Sequence, residues 1–119
     1  MTESQIIDPQ ALDRLREWGG DKLAGQMVRL FLKNSGTRMD QIRDGVGVSD
    51  FEEAERGAHS LKSSAANIGA ELLRTLATRM ESAALEGNSD QARFLLPELE
   101  SSYVDAMNEL QKIEKGIQK

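Results

Sequence analysis

The sequence predicts an all-α protein: an up-and-down four-helix bundle with a short additional helix at its N-terminus. Apolar residues recur at intervals of three and four through five successive stretches of the chain. Glycines and capping residues separate those stretches by short connections, which favours antiparallel neighbours. No segment carries a convincing strand pattern, so helices account for the fold.

Asp8 before Pro9 is an N-cap followed by proline at the first helical position, and Leu12, Leu15 and Trp18 give that short helix its apolar stripe. Gly19 and Gly20 close it. From Asp21 the residues Leu23, Met27, Leu30, Phe31, Met39 and Ile42 define a long second helix that ends at Gly45 and Gly47, with Gly36 as a weak point midway. Ser49 with Glu52 forms a capping-box signature for a third helix, closed by Gly69. Leu72, Leu73, Leu76, Met80, Ala83 and Ala84 form the fourth stripe, which runs out at Glu86, Gly87 and Asn88. Ser89 and Asp90 are the expected caps of a fifth helix with the stripe Ala92, Leu95, Leu96, Leu99, Tyr103, Ala106, Leu110 and Ile113. Pro97 predicts a kink near Arg93 to Pro97, or a later start.

Composition narrows the function classes. At 119 residues, we expect a single domain over 1–119 that stands alone, with one hydrophobic core. There is no cysteine, which excludes disulfides and thiolate metal sites. A net charge of -5 disfavours sequence-independent nucleic-acid binding, which depends on neutralising phosphates with Lys and Arg. No apolar run approaches the roughly 20 residues of a membrane span, and MTESQIIDPQ lacks the pattern of a secretory signal, so a cytoplasmic location and protein partners are expected.

The third helix carries the only histidine, in the stretch AHSLKSSAANIGA. On a helical wheel Phe51, Ala54, Ala58, Leu61, Ala65 and Ile68 share one face, which is the core. His59 falls roughly 130° from the centre of that stripe, beside Glu52, Glu55, Ser63 and Ala66, so it points outward. A lone histidine is most often an inconsequential surface or core residue. Here the following turns carry Ser63 and Ala66, whose small side chains leave the ring open to a docking macromolecule. Lys62, three residues on, brings an ammonium near anything attached to the ring.

An imidazole with the ordinary pKa of about 6.5 offers a free ring nitrogen for nucleophilic attack at neutral pH. Phosphoryl transfer asks mainly for in-line positioning and positive charge near the equatorial oxygens, so a partner can supply the metal and the remaining groups.

His59-Ser60-Leu61-Lys62-Ser63-Ser64, followed by Gly69 and Ala70, resembles the H-x-L-K-G-S-(S/A) motif of histidine-containing phosphotransfer (HPt) domains. The resemblance extends over nearly the whole chain, including GGD after the first helix and EGN after the fourth. It implies that His59 carries a phosphoryl group on Nε2 and exchanges it with an aspartate of a response-regulator receiver domain, in a multistep relay with a sensor or hybrid histidine kinase. It further implies that Lys62 stabilises the phosphoryl oxygens and that Gly69 serves close helix packing or partner approach. The family commonly places a Gln or Glu near the other ring nitrogen, and Glu81 is the candidate by spacing. Ser63 stands where the family usually has glycine; its hydroxyl either bonds a phosphoryl oxygen or is passive. Arg56, Ala66 and Gly69 are the expected docking residues. No cofactor is expected in the chain itself, the Mg2+ belonging to the receiver, and a monomer is expected.

Other classes fit the residues poorly. A di-iron or zinc bundle needs several carboxylate and histidine ligands, whereas this chain has one histidine with Arg56 three residues before it. There is no Gly-x-Ser-x-Gly elbow, P-loop or ATP-binding segment, so neither a hydrolase nor an autonomous kinase is expected. The alternative is a helical adaptor that binds a signalling partner without being phosphorylated, whose function would not depend on His59.

Overall fold

The structure, a computed structural model, describes residues 6–117. It consists of helices α1 (Pro9–Gly47), α2 (Phe51–Ile68), α3 (Glu71–Leu85) and α4 (Ser89–Ile117), with no strand among the described residues. Each helix packs on its chain neighbours, and α1 also packs on α4, which closes the bundle. The first five residues of the stretch considered as a signal lie outside the described residues. No helix among the described residues is long and apolar enough to cross a membrane.

The expected break between the short and long N-terminal helices falls within α1. Gly19 and Gly20 leave helical geometry there, Gly20 at φ 70° and ψ −170°, a conformation that a side chain would strain. Asp8 caps the short segment by accepting from the Gln10 backbone N–H, with Pro9 behind it at the first helical position. Ahead of that cap, Ile7 is buried and the Asp8 N–H donates to the Gly69 carbonyl at 2.8 Å, tying the N-terminal segment to the α2–α3 turn.

Two caps differ by a residue or so from the sequence expectation. Asp50, not Ser49, caps α2 by accepting from the Glu53 N–H, while Ser49 takes a left-handed turn conformation at φ 57°. Both Ser49 and Asp50 have a glutamate three residues on, and the shorter interhelix turn leaves the carboxylate facing the helix end. Likewise Asn88 accepts from the Gln91 N–H ahead of α4, so the cap is Asn88 rather than Ser89 or Asp90. Helix α4 runs through Pro97 as one element. Pro97 and Arg93 are both exposed, so solvent reaches the carbonyl that proline leaves unbonded. Gly36 stays within α1 and faces the Tyr103 hydroxyl.

The core follows the predicted stripes: Ala54, Ala58, Leu61, Ala65 and Ile68 of α2 are buried against residues such as Met39, Ile42, Leu76, Met80 and Leu99. Three expected stripe residues are instead exposed. Trp18 is 74% exposed because it sits in the last turn before the Gly19 break, past the end of the packed stripe. Leu30 and Leu72 each stand beside the residue that takes the core position, Phe31 and Leu73.

Candidate functional site

The packing of α2 decides where its polar residues go. With Ala58 and Leu61 wholly buried, His59 is turned outward and its side chain is 60% exposed. Small neighbours on the same face keep it open: Ser63 is exposed, and Ser60 and Ser64 are half-buried in the concavity that reaches from α2 to Asn34 and Arg38 of α1.

Helix α3 supplies the group that organises the ring. Glu81 Oε2 lies 2.7 Å from His59 Nδ1, and Glu81 Oε1 accepts from Lys62 Nζ at 2.7 Å. The carboxylate is only 14% exposed. Burial pushes its pKa up, but the hydrogen bonds from Lys62 and His59, with the positive charge beside them, outweigh burial and hold it below the usual carboxylate range. An ionised carboxylate accepts hydrogen bonds and donates none, so His59 Nδ1 must carry the hydrogen between them. In the neutral ring, Nε2 is then the nitrogen with a free lone pair.

Lys62 is therefore engaged with Glu81 in the free protein, with its side chain 31% exposed. Arg56 is exposed and paired with Glu53 at 3.0 Å, and it lines a second concavity with His59, Glu55, Glu81 and Leu85. That hydrogen bond, together with the carboxylate charge, raises the guanidinium pKa. Ala66 is half-buried, one turn beyond Lys62. Gly69 is elsewhere: it is buried at φ 82° at the end of α2, and a Cβ there would lie 2.7 Å from that of Ala11 and 2.8 Å from the Asp8 carbonyl. The N-terminal segment covers it, so of its two expected roles close packing is the one its buried position matches.

Glu55, His59 and Glu81 each present a ligand atom within 4.8 Å of one another. Both Glu81 oxygens already accept hydrogen bonds from Lys62 and His59, so this carboxylate serves the ring and the ammonium. Two residues at the site were not singled out from the sequence, Arg38 and Ser60, and both line each of the concavities flanking His59. The available signal for Arg38 was Gly57, a helical glycine two residues before the histidine that admits close approach of another helix.

The Hpt domain model matches residues 26–115, well over half of the chain. The chain belongs to the Hpt domain family. Its fold agrees with that of the crystal structure of histidine-containing phosphotransfer protein B from Pseudomonas aeruginosa PAO1, with a TM-score of 0.86 and 21% identity over 95% of this chain and 97% of that one. A candidate histidine-containing phosphotransfer protein from rice is similar at a TM-score of 0.73 and 20% identity, covering 96% of this chain and 85% of its own. No curated protein matches significantly by sequence. As an Hpt domain the chain is a histidine phosphotransfer module of a phosphorelay, and His59 is the only histidine it contains.

Proposed function

We propose that His59 accepts a phosphoryl group on Nε2 and exchanges it with the aspartate of a response-regulator receiver domain, in a multistep relay loaded by a sensor or hybrid histidine kinase. One observation carries this reading: the exposed imidazole is held at Nδ1 by the ionised Glu81, which leaves Nε2 as the nucleophile.

In the transfer, the Nε2 lone pair attacks the phosphorus of the aspartyl phosphate in line with the bond to the aspartate. The N–P bond forms as the P–O bond breaks, and the electron pair leaves with the aspartate as a carboxylate. The ring keeps its Nδ1 proton and becomes cationic, and Glu81 beside it stabilises that charge. The reverse step uses the same atoms. Lys62 shares its ammonium between Glu81 and the phosphoryl oxygens, and the Mg2+ belongs to the receiver. The chain works as a phosphocarrier rather than as an enzyme with its own nucleotide site, and as a monomer that offers Arg56, Ser63 and Ala66 to the receiver.

The test is transfer of label from a phosphorylated receiver domain to the wild-type chain and to His59→Gln. An acid-labile, alkali-stable label on wild type alone supports the carrier. Absence of label from both with several receivers, while a receiver still binds both chains equally, supports the adaptor instead.

A further inference from the structure

The charges around the imidazole do not suit a phosphorylated histidine as they stand. Two carboxylates, Glu55 and Glu81, face it, against the single ammonium of Lys62, which Glu81 already binds at 2.7 Å. A phosphoryl group at neutral pH adds about −1.5 to −2 of charge. Even with the phosphorylated ring cationic, the two carboxylates and the phosphoryl group outweigh the ring and Lys62, and Arg56 is exposed and held by Glu53, so a further cation nearby favours the group.

Arg38 of α1 is such a cation. The crossing of α1 over α2 is close at Gly57, where a Cβ would lie 2.8 Å from the Arg38 carbonyl and 2.9 Å from Gln41 Cβ. Absence of that Cβ brings Arg38 to the histidine turn, and the residue forms a wall of both concavities that flank His59. Its side chain is half-buried, and its partner is a neutral amide, Gln41 Oε1, at 3.0 Å. Gln41 is turned that way by its own NH2, which donates to Glu53 Oε2 at 3.4 Å. One guanidinium N–H is thus occupied and, among the described residues, the positive charge has no carboxylate partner, in contrast to Arg16, Arg43, Arg56 and Arg74. A planar guanidinium binds phosphate oxygens in pairs, which an ammonium does not.

Resting on the carrier reading above, we infer that Arg38 is a phosphoryl-binding residue of this site: its guanidinium binds the oxygens of the phosphoryl group on His59. No bond to the phosphoryl group is made or broken by Arg38; it binds the dianion by charge and hydrogen bonds.

The experiment loads the chain with phosphoramidate and follows the phosphohistidine by 31P NMR as pH is varied, in wild type, Arg38→Met, Arg38→Lys and His59→Gln. A cation at the phosphoryl oxygens favours the dianion and so lowers the midpoint of its last ionisation; Glu55, Glu81, Lys62 and Arg56 are common to all the Arg38 variants. Arg38→Met should raise that midpoint by about half a pH unit or more, with Arg38→Lys between it and wild type. In wild type the Arg38 Nε–H resonance should also shift on loading, which needs no variant to fold. An unchanged midpoint, or an Arg38 resonance indifferent to loading, overturns the inference while label on His59 leaves the carrier reading standing. Failure of wild type to load at His59 removes both.

Discussion

Glu81 Oε2 lies 2.7 Å from His59 Nδ1, joining the exposed imidazole of α2 to a mostly buried carboxylate of α3. That contact fixes both the orientation of the ring and the nitrogen that carries its hydrogen. The other carboxylate oxygen holds Lys62, so one carboxylate positions both the imidazole and the ammonium.

Replacing Glu81 therefore separates geometry from charge. Glu81→Ala removes a charge-assisted hydrogen bond of about 1.5–3 kcal/mol and should slow single-turnover transfer to the receiver by about tenfold to a hundredfold. Glu81→Gln keeps a carbonyl oxygen for Nδ1–H and should lose much less. Equal losses in the two variants would show that the hydrogen bond does not orient the ring.

The same carboxylate predicts an acid-sensitive component of stability. Its folded-state pKa lies below the ordinary value of about 4.3, so its contribution is fully present above that pH. It is lost as pH falls through the lower folded value, where the native state too takes up the proton. Urea unfolding between pH 6 and 2.5 should show this loss in wild type, and Glu81→Gln should lack that increment. A pH dependence identical in the two would contradict the assignment.

Gly57 and Gly69 are expected to be structural requirements of different kinds. Gly57→Ala puts a Cβ 2.8 Å from the Arg38 carbonyl, which forces α1 off α2, and should cost about 1–3 kcal/mol in chemical denaturation. Gly69→Ala adds a left-handed φ of 82° to a clash with Ala11 and Asp8, and should cost at least as much. Its transfer rate per folded molecule should stay at the wild-type value, because the N-terminal segment covers the site of substitution. A slowed receiver reaction in folded Gly69→Ala would return that residue to the docking face.

Ala66→Arg tests the docking face itself. The position is half-buried on the helix that bears His59, and an arginine there should leave thermal unfolding within about 0.5 kcal/mol of wild type while blocking receiver transfer by bulk. Transfer at the normal rate would move the docking surface elsewhere.

Much of this was legible because it lies along one helix. The 3.6-residue period of Ala54, Ala58, Leu61, Ala65 and Ile68 is enough to turn His59 outward and put Lys62 beside it. The break at Gly19 and Gly20 was legible too, since glycine is the residue that tolerates the backbone found there. What failed depends on packing. Asp50 and Asn88 displaced neighbouring caps of similar chemistry, and Trp18 fits the periodicity but has nothing to pack on after the helix breaks. Glu81 was reached only by its spacing and family resemblance, and Arg38 not at all, because its distance from His59 is set by how closely two helices cross at Gly57.

The central claim concerns which nitrogen is free, and 15N NMR of the His59 ring measures it directly. At a pH where the ring is neutral, the account predicts a hydrogen on Nδ1 and a bare Nε2, with phosphorus coupled to Nε2 after loading. A ring protonated at Nε2, or phosphorus attached to Nδ1, would contradict it.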